Sequence, residues 1–170
     1  MIVVSDTTPL RHLIAIGKMG LLRKVYGAVV VPATVWSELQ AQSTPTAVKT
    51  WLQRPPGWLQ VRCPREPLPG DANLDVLVRL DAGERDAIRL AVELKADLLL
   101  MDEADGRSIA LGLGLPVTGT LGLLERADVL GLLSDLPATL ADLEASGFYL
   151  SARLRESVLD RYRKRHGTDF

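Results

Sequence analysis

Two apolar runs in this chain finish on an aspartate. Ile2-Val3-Val4-Ser5 leads into Asp6, and Leu98-Leu99-Leu100-Met101 leads into Asp102. Aliphatic runs with no polar face read as short strands buried on both sides, as in the middle of a parallel sheet. The C-terminal ends of parallel strands share one edge, where open α/β sheets bind ligands. Asp6 and Asp102 can therefore meet if their strands are neighbours. Glu38 and Glu84 fall early in helices that must pack back on the same sheet. Carboxylates gathered without partners repel, and one or more must take up a proton. A divalent cation resolves this, and hard oxygen donors suit Mg²⁺ or Mn²⁺. For Asp6 the competing role is a helix cap, because Pro9 opens a helical pattern through Leu10, Leu13, Ile14 and Ile16.

Helix phase separates the acids near residue 84. Glu84 shares a stripe with Ala87, Ile88 and Ala91, the face that packs on a sheet. Asp86 lines up with Arg89, Leu90 and Glu93 and is expected to look toward solvent. Asp105, three residues beyond Asp102, is either a further ligand or a helix N-terminal charge. Zinc is not indicated, since His12 and His166 lie far apart and Cys63 is the single cysteine.

The elements that must position these acids alternate. Helical spacing covers Gly20 to Tyr26. Val29-Val30-Val31 reads as a strand, and Pro32 opens a helix with Val35, Trp36 and Leu39 that carries Glu38 in its second turn. Ala47 to Leu52 reads as helical. Pro55, Pro56, Pro64, Pro67 and Pro69 rule out a long regular element there, although Trp58-Leu59-Gln60-Val61 suits a short strand. Asp81-Ala82-Gly83-Glu84 precedes a helix whose apolar stripe is Ala87, Ile88, Ala91 and Val92. Ala104 to Leu113 is a helix, Val117-Thr118 a strand, and Thr120 opens a helix through Leu121, Leu124 and Ala127. Leu136 to Ala145 and Ser151 to Arg165 complete the pattern. The alternation predicts a three-layer α/β/α fold with a mainly parallel sheet.

At 170 residues the chain suits a single domain, 1–170, with no repeats and a basic C-terminal helix at 151–166. No apolar run approaches the roughly 20 residues of a membrane span, and no leader pattern stands at the N-terminus, so a cytoplasmic location is expected. A formal charge of −1 argues against broad electrostatic attachment to nucleic acid but leaves room for a local contact. Trp36, Trp51 and Trp58 read as core or loop anchors and not as base-stacking platforms.

Taken in order, these pieces resemble the PIN-domain family. The resemblance is carried by Val4-Ser5-Asp6-Thr7-Thr8-Pro9-Leu10, by Val30-Val31-Pro32 with Val35-Trp36-Ser37-Glu38-Leu39, and by Leu80-Asp81-Ala82-Gly83-Glu84-Arg85-Asp86-Ala87-Ile88. It continues through Ala96-Asp97-Leu98-Leu99-Leu100-Met101-Asp102 and Leu115-Pro116-Val117-Thr118-Gly119-Thr120-Leu121-Gly122. It implies an α/β/α sandwich whose acidic site uses Mg²⁺ or Mn²⁺ to hydrolyse phosphodiesters. Many members are ribonuclease toxins held by a small antitoxin, and many are homodimers. By position, Asp6, Glu38, Glu84 and Asp102 match the family's acids as catalytic residues, with Asp6, Glu38, Asp102 and Asp105 as metal ligands. The family's commonest pattern has Thr or Ser at the end of the strand that here is Leu98–Met101, where this chain has Asp102, and the later acid would be Asp105.

The expectation is a Mg²⁺/Mn²⁺-dependent ribonuclease, the toxin of a toxin–antitoxin pair acting on RNA without a membrane. Metal-assisted attack of water would cleave the phosphodiester. Ser5 and Thr7 are candidates to hydrogen-bond the carboxylates. The alternative is a non-catalytic nucleic-acid- or partner-binding module that keeps the fold. A dehalogenase-like phosphatase would need a second Asp where Thr8 stands, and Gly112-Leu113-Gly114 lacks the third glycine of a dinucleotide loop.

Overall fold

The computed structural model describes residues 1–41, 44–68 and 77–167. Five strands form one parallel sheet: β1 (Val3–Ser5), β2 (Val29–Pro32), β3 (Leu59–Arg62), β4 (Leu98–Leu100) and β5 (Val117–Thr118), in the order β3-β2-β1-β4-β5. The helices are α1 (Thr7–Ala15), α2 (Gly20–Tyr26), α3 (Ala33–Leu39), α4 (Thr46–Leu52), α5 (Ala82–Glu93), α6 (Ala104–Gly112), α7 (Thr120–Val129), α8 (Leu136–Ala145) and α9 (Ala152–His166). This is the α/β/α sandwich with a parallel sheet that the alternation predicts.

The apolar strands are buried on both faces because successive side chains point to opposite sides. Val3, Val29, Val31 and Leu100 join one core with residues of α1, α2, α3, α7, α8 and α9. Val4, Val30, Leu99 and Met101 join a second core with α5 and α6. The central strand β1 pairs with β2 through Val4 and Val30, and with β4 through Val3–Leu98, Val4–Leu99 and Ser5–Leu100. The ends that carry Asp6 and Asp102 are therefore on neighbouring strands.

Trp36, Trp51 and Trp58 are partly buried against the first core. The proline-rich stretch feeds edge strand β3, and Pro69 lies outside the described residues. One face of α5 differs from the expectation. Leu90, placed with Asp86 on the solvent side, is 1% exposed, whereas Val92 is only partly buried. The second core reaches further round the helix than a narrow stripe, and Leu90 lines a cavity with Val61, Arg62 and Cys63 at the β3 edge of the sheet. Gly112-Leu113-Gly114 closes α6, and Gly114 takes a φ of +78° that ends a helix and does not open one.

Candidate functional site

Asp6 occupies the N-cap position of α1, yet its side chain makes no capping hydrogen bond. Its backbone N–H is fixed to the Leu100 carbonyl at 3.0 Å, which locks the strand end against β4. The carboxylate is thus held but not used up by the helix. It is 2% exposed, and Oδ1 is buried with no hydrogen-bond partner. Burial pushes this carboxyl up to about 7; the Thr7 backbone N–H opposes the shift, while the charges of Asp81, Glu84 and Glu38 add to it.

Glu38 comes from the second turn of α3. The Thr7 hydroxyl donates to its Oε2, and the Gly83 N–H donates to Oε1 at 2.9 Å. α1 and the start of α5 therefore grip the carboxylate from two sides. Gly83 must be glycine for this approach, since a Cβ there would stand 2.6 Å from both Glu38 oxygens.

Asp81 is the residue that sequence reasoning missed as a site member. It caps α5 by accepting from Glu84 N–H at 2.8 Å, and Glu84 Oε2 accepts from Asp81 N–H at 3.0 Å. This reciprocal capping box follows from an acid at the cap and Glu three residues later. The spacing signals a helix start and gives no hint that the capping acid can serve a second purpose. One oxygen each of Asp6, Glu38 and Asp81 lies within 4.8 Å of the others. Among the described residues none of the three forms an ion pair with an arginine or lysine.

Glu84 turns inward and is 8% exposed, with its carboxyl raised first by burial, then by the charges of Asp81, Glu103 and Glu38, against the Asp81 backbone N–H. Asp86 turns away and pairs with Arg89 at 2.9 Å. Asp102 follows the strand beside β1, but its oxygens accept from Thr120 N–H and Thr120 Oγ1, each at 2.7 Å. It ties the end of β4 to the start of α7 and stands outside the three-carboxylate group. Asp105 is exposed in the first turn of α6. The Ser5 hydroxyl donates to the Asp6 carbonyl at 2.9 Å and not to a carboxylate, so it braces the strand end.

The basic C-terminal helix spends its charge locally. Arg155, Arg161, Arg163, Lys164 and Arg165 each meet a carboxylate, on Glu144, Glu125, Glu156, Asp160 and Asp128 respectively. Asp128 is nearly wholly buried and also meets His166 at 3.0 Å. The pairs to Glu144, Glu125 and Asp128 fasten α9 to α8 and α7, those to Glu156 and Asp160 stay within α9, and the positive charge of the basic helix is largely neutralised.

Three carboxylates that converge on one another, one of them buried with an oxygen that has no hydrogen-bond partner, form a hard anionic donor set that a divalent cation satisfies. The residues present fit Mg²⁺ or Mn²⁺. No helix among the described residues is long and apolar enough to cross a membrane. No curated protein matches the chain. A family model described as a PIN domain matches residues 2–164, so the acids at the sheet edge have the fold around them that the N-terminal motif implied. The chain belongs to the PIN-domain family.

Proposed function

We propose that this protein is a Mg²⁺- or Mn²⁺-dependent ribonuclease that hydrolyses RNA phosphodiesters. The observation that carries the reading is the convergence of Asp6, Glu38 and Asp81, to within 4.8 Å of one another, beside a buried Asp6 carboxylate that keeps one oxygen without a hydrogen-bond partner. These three would hold the ion. When bound, it supplies charge neutralisation at the phosphate and activation of water. Thr7 and the Gly83 N–H fix the Glu38 carboxylate in one orientation. Glu84, desolvated beside them, is suited to hold a water or its proton. Asp102 and Asp105 are the acids that would extend the site toward α6. In the same reading the protein is the toxin of a toxin–antitoxin pair, acts as a homodimer and is restrained by a small antitoxin. Exposed Leu111, Tyr149 and Leu154 are apolar surface that a partner would cover.

Incubating short single-stranded RNA with the protein and Mn²⁺ tests the activity. Cleavage should require the metal and disappear in Glu38→Gln. Metal binding without cleavage by the wild type would leave the binding-module alternative.

The inward phase of Glu84 gives a second expectation. Glu84→Gln keeps the shape and the capping acceptor but removes the charge, and should lower turnover about 100-fold. Asp86→Asn removes only a half-exposed pair with Arg89 and should cost a few tenths of a kcal/mol of stability with turnover retained. Comparing the two rates under saturating Mn²⁺ decides it, and loss confined to Asp86→Asn would redraw the site.

A further inference from the structure

Arg11 lies on α1 one turn beyond Thr7 and lines the same cavity, about 210 Å³, as Asp6, Glu38 and Asp81. An arginine beside carboxylates ordinarily forks onto one of them, because its paired N–H donors match two carboxylate oxygens. Arg11 does not. Among the described residues it forms no ion pair, and its Nη2 donates to the Glu38 main-chain carbonyl at 2.9 Å and to Thr44 Oγ1 at 3.5 Å. Thr44 Oγ1 in turn donates to that same carbonyl at 3.2 Å. Nε is buried without a partner, and Nη1 donates to no described residue. The guanidinium is thus tied back by Nη2 while Nε is buried, and Nη1 is the donor left to meet a ligand. If its task were to neutralise the cluster, it would pair with a carboxylate, which a shared cation would then have to displace. The arrangement instead leaves the carboxylates for a cation and the guanidinium for an anion.

We propose that Arg11 binds a non-bridging oxygen of the substrate phosphodiester, an assignment that rests on the nuclease reading above. Its fixed positive charge meets the phosphate where negative charge is spread during transfer, and the tether to Glu38 and Thr44 holds it there before substrate arrives. Arg11 is then a catalytic residue supplied by the first helix, on the same turn-spacing as the threonine that holds Glu38.

Three measurements on the full chain test this: Mn²⁺ affinity by calorimetry, cleavage of a short single-stranded RNA at saturating Mn²⁺, and affinity for the same RNA in Ca²⁺ by fluorescence anisotropy. Arg11→Ala should lower the cleavage rate about 100-fold, weaken RNA binding about tenfold and leave Mn²⁺ affinity within about twofold of wild type. Guanidinium ion added to Arg11→Ala should recover part of the rate, which a merely broken tether would not allow. If the alanine variant melts early, Arg11→Lys is read in its place, with a smaller loss in both rate and RNA affinity. Active wild type together with an unchanged rate in Arg11→Ala would overturn the assignment and leave the nuclease reading standing. An inactive wild type would overturn the nuclease reading. RNA affinity then decides for Arg11: a tenfold loss supports the phosphate contact, and equal affinity rejects it.

Discussion

Asp6→Asn is expected to abolish metal-dependent cleavage, by about a thousandfold or more, while making the metal-free protein more stable at pH 8. The two effects share one cause. The Asp6 carboxyl is buried, and its folded value of about 7 stands above the ordinary 3.8. Between those values the folded chain holds a proton that the unfolded chain has released. Stability is therefore fully present below about 3.8 and is lost as pH rises through about 7. The difference corresponds to something of order 4 kcal/mol at alkaline pH. Asparagine removes the charge and places an amide donor among acceptors. Melting curves without metal from pH 5 to pH 8.5 should fall steeply for wild type and stay nearly flat for the variant. Mn²⁺ should raise the wild-type curve at pH 8 and leave the variant unmoved. Parallel curves for the two proteins would remove Asp6 as the titrating group.

Gly83→Ala is expected to lose cleavage by about a hundredfold or more with little change in melting temperature. The position is in the first turn of α5, where alanine is intrinsically better than glycine by about 1 kcal/mol. The added methyl, however, would sit 2.6 Å from both Glu38 oxygens and 2.8 Å from the carbon between them. Either Glu38 leaves the Thr7 hydroxyl and the Gly83 N–H, or the start of α5 shifts and carries Asp81 and Glu84 with it. Both outcomes scatter the three oxygens, so Mn²⁺ affinity should fall together with the rate. A variant with wild-type Mn²⁺ affinity would show that the carboxylate grip is not what assembles the site.

Much of this site was legible because its positions are tied to secondary-structure boundaries. Asp6 follows a fully buried strand, and Glu84 sits in phase with Ala87, Ile88 and Ala91, so periodicity alone turns one to the sheet edge and the other inward. Asp81 was obscured because capping and ligation ask for the same residue type, and the sequence advertises the first. Asp102 shows the reverse case. Strand adjacency brings its backbone near Asp6, but a threonine at the start of α7 offers two donors to its oxygens, a choice made by side-chain geometry across 18 residues. Arg11 was invisible for a similar reason, since its meaning lies in which partners it declines. The net positive charge of the last helix misled because composition counts cations without recording that Glu125, Asp128 and Glu144 wait on neighbouring helices.

The sheet order also sets a timetable during synthesis. β1 is made before the other four strands of the sheet and is the middle one, yet its partner β4 is some 95 residues away in the chain, as the bond from Ile2 N–H to Asp97 illustrates. Closing a loop of that length costs entropy before any pairing rewards it, so β1 gains its second neighbour late. Asp6, Glu38 and Asp81 have all been made by then, but the strand end that locks Asp6 needs the Leu100 carbonyl. A nascent chain therefore carries every acid of the triad before it carries an assembled site.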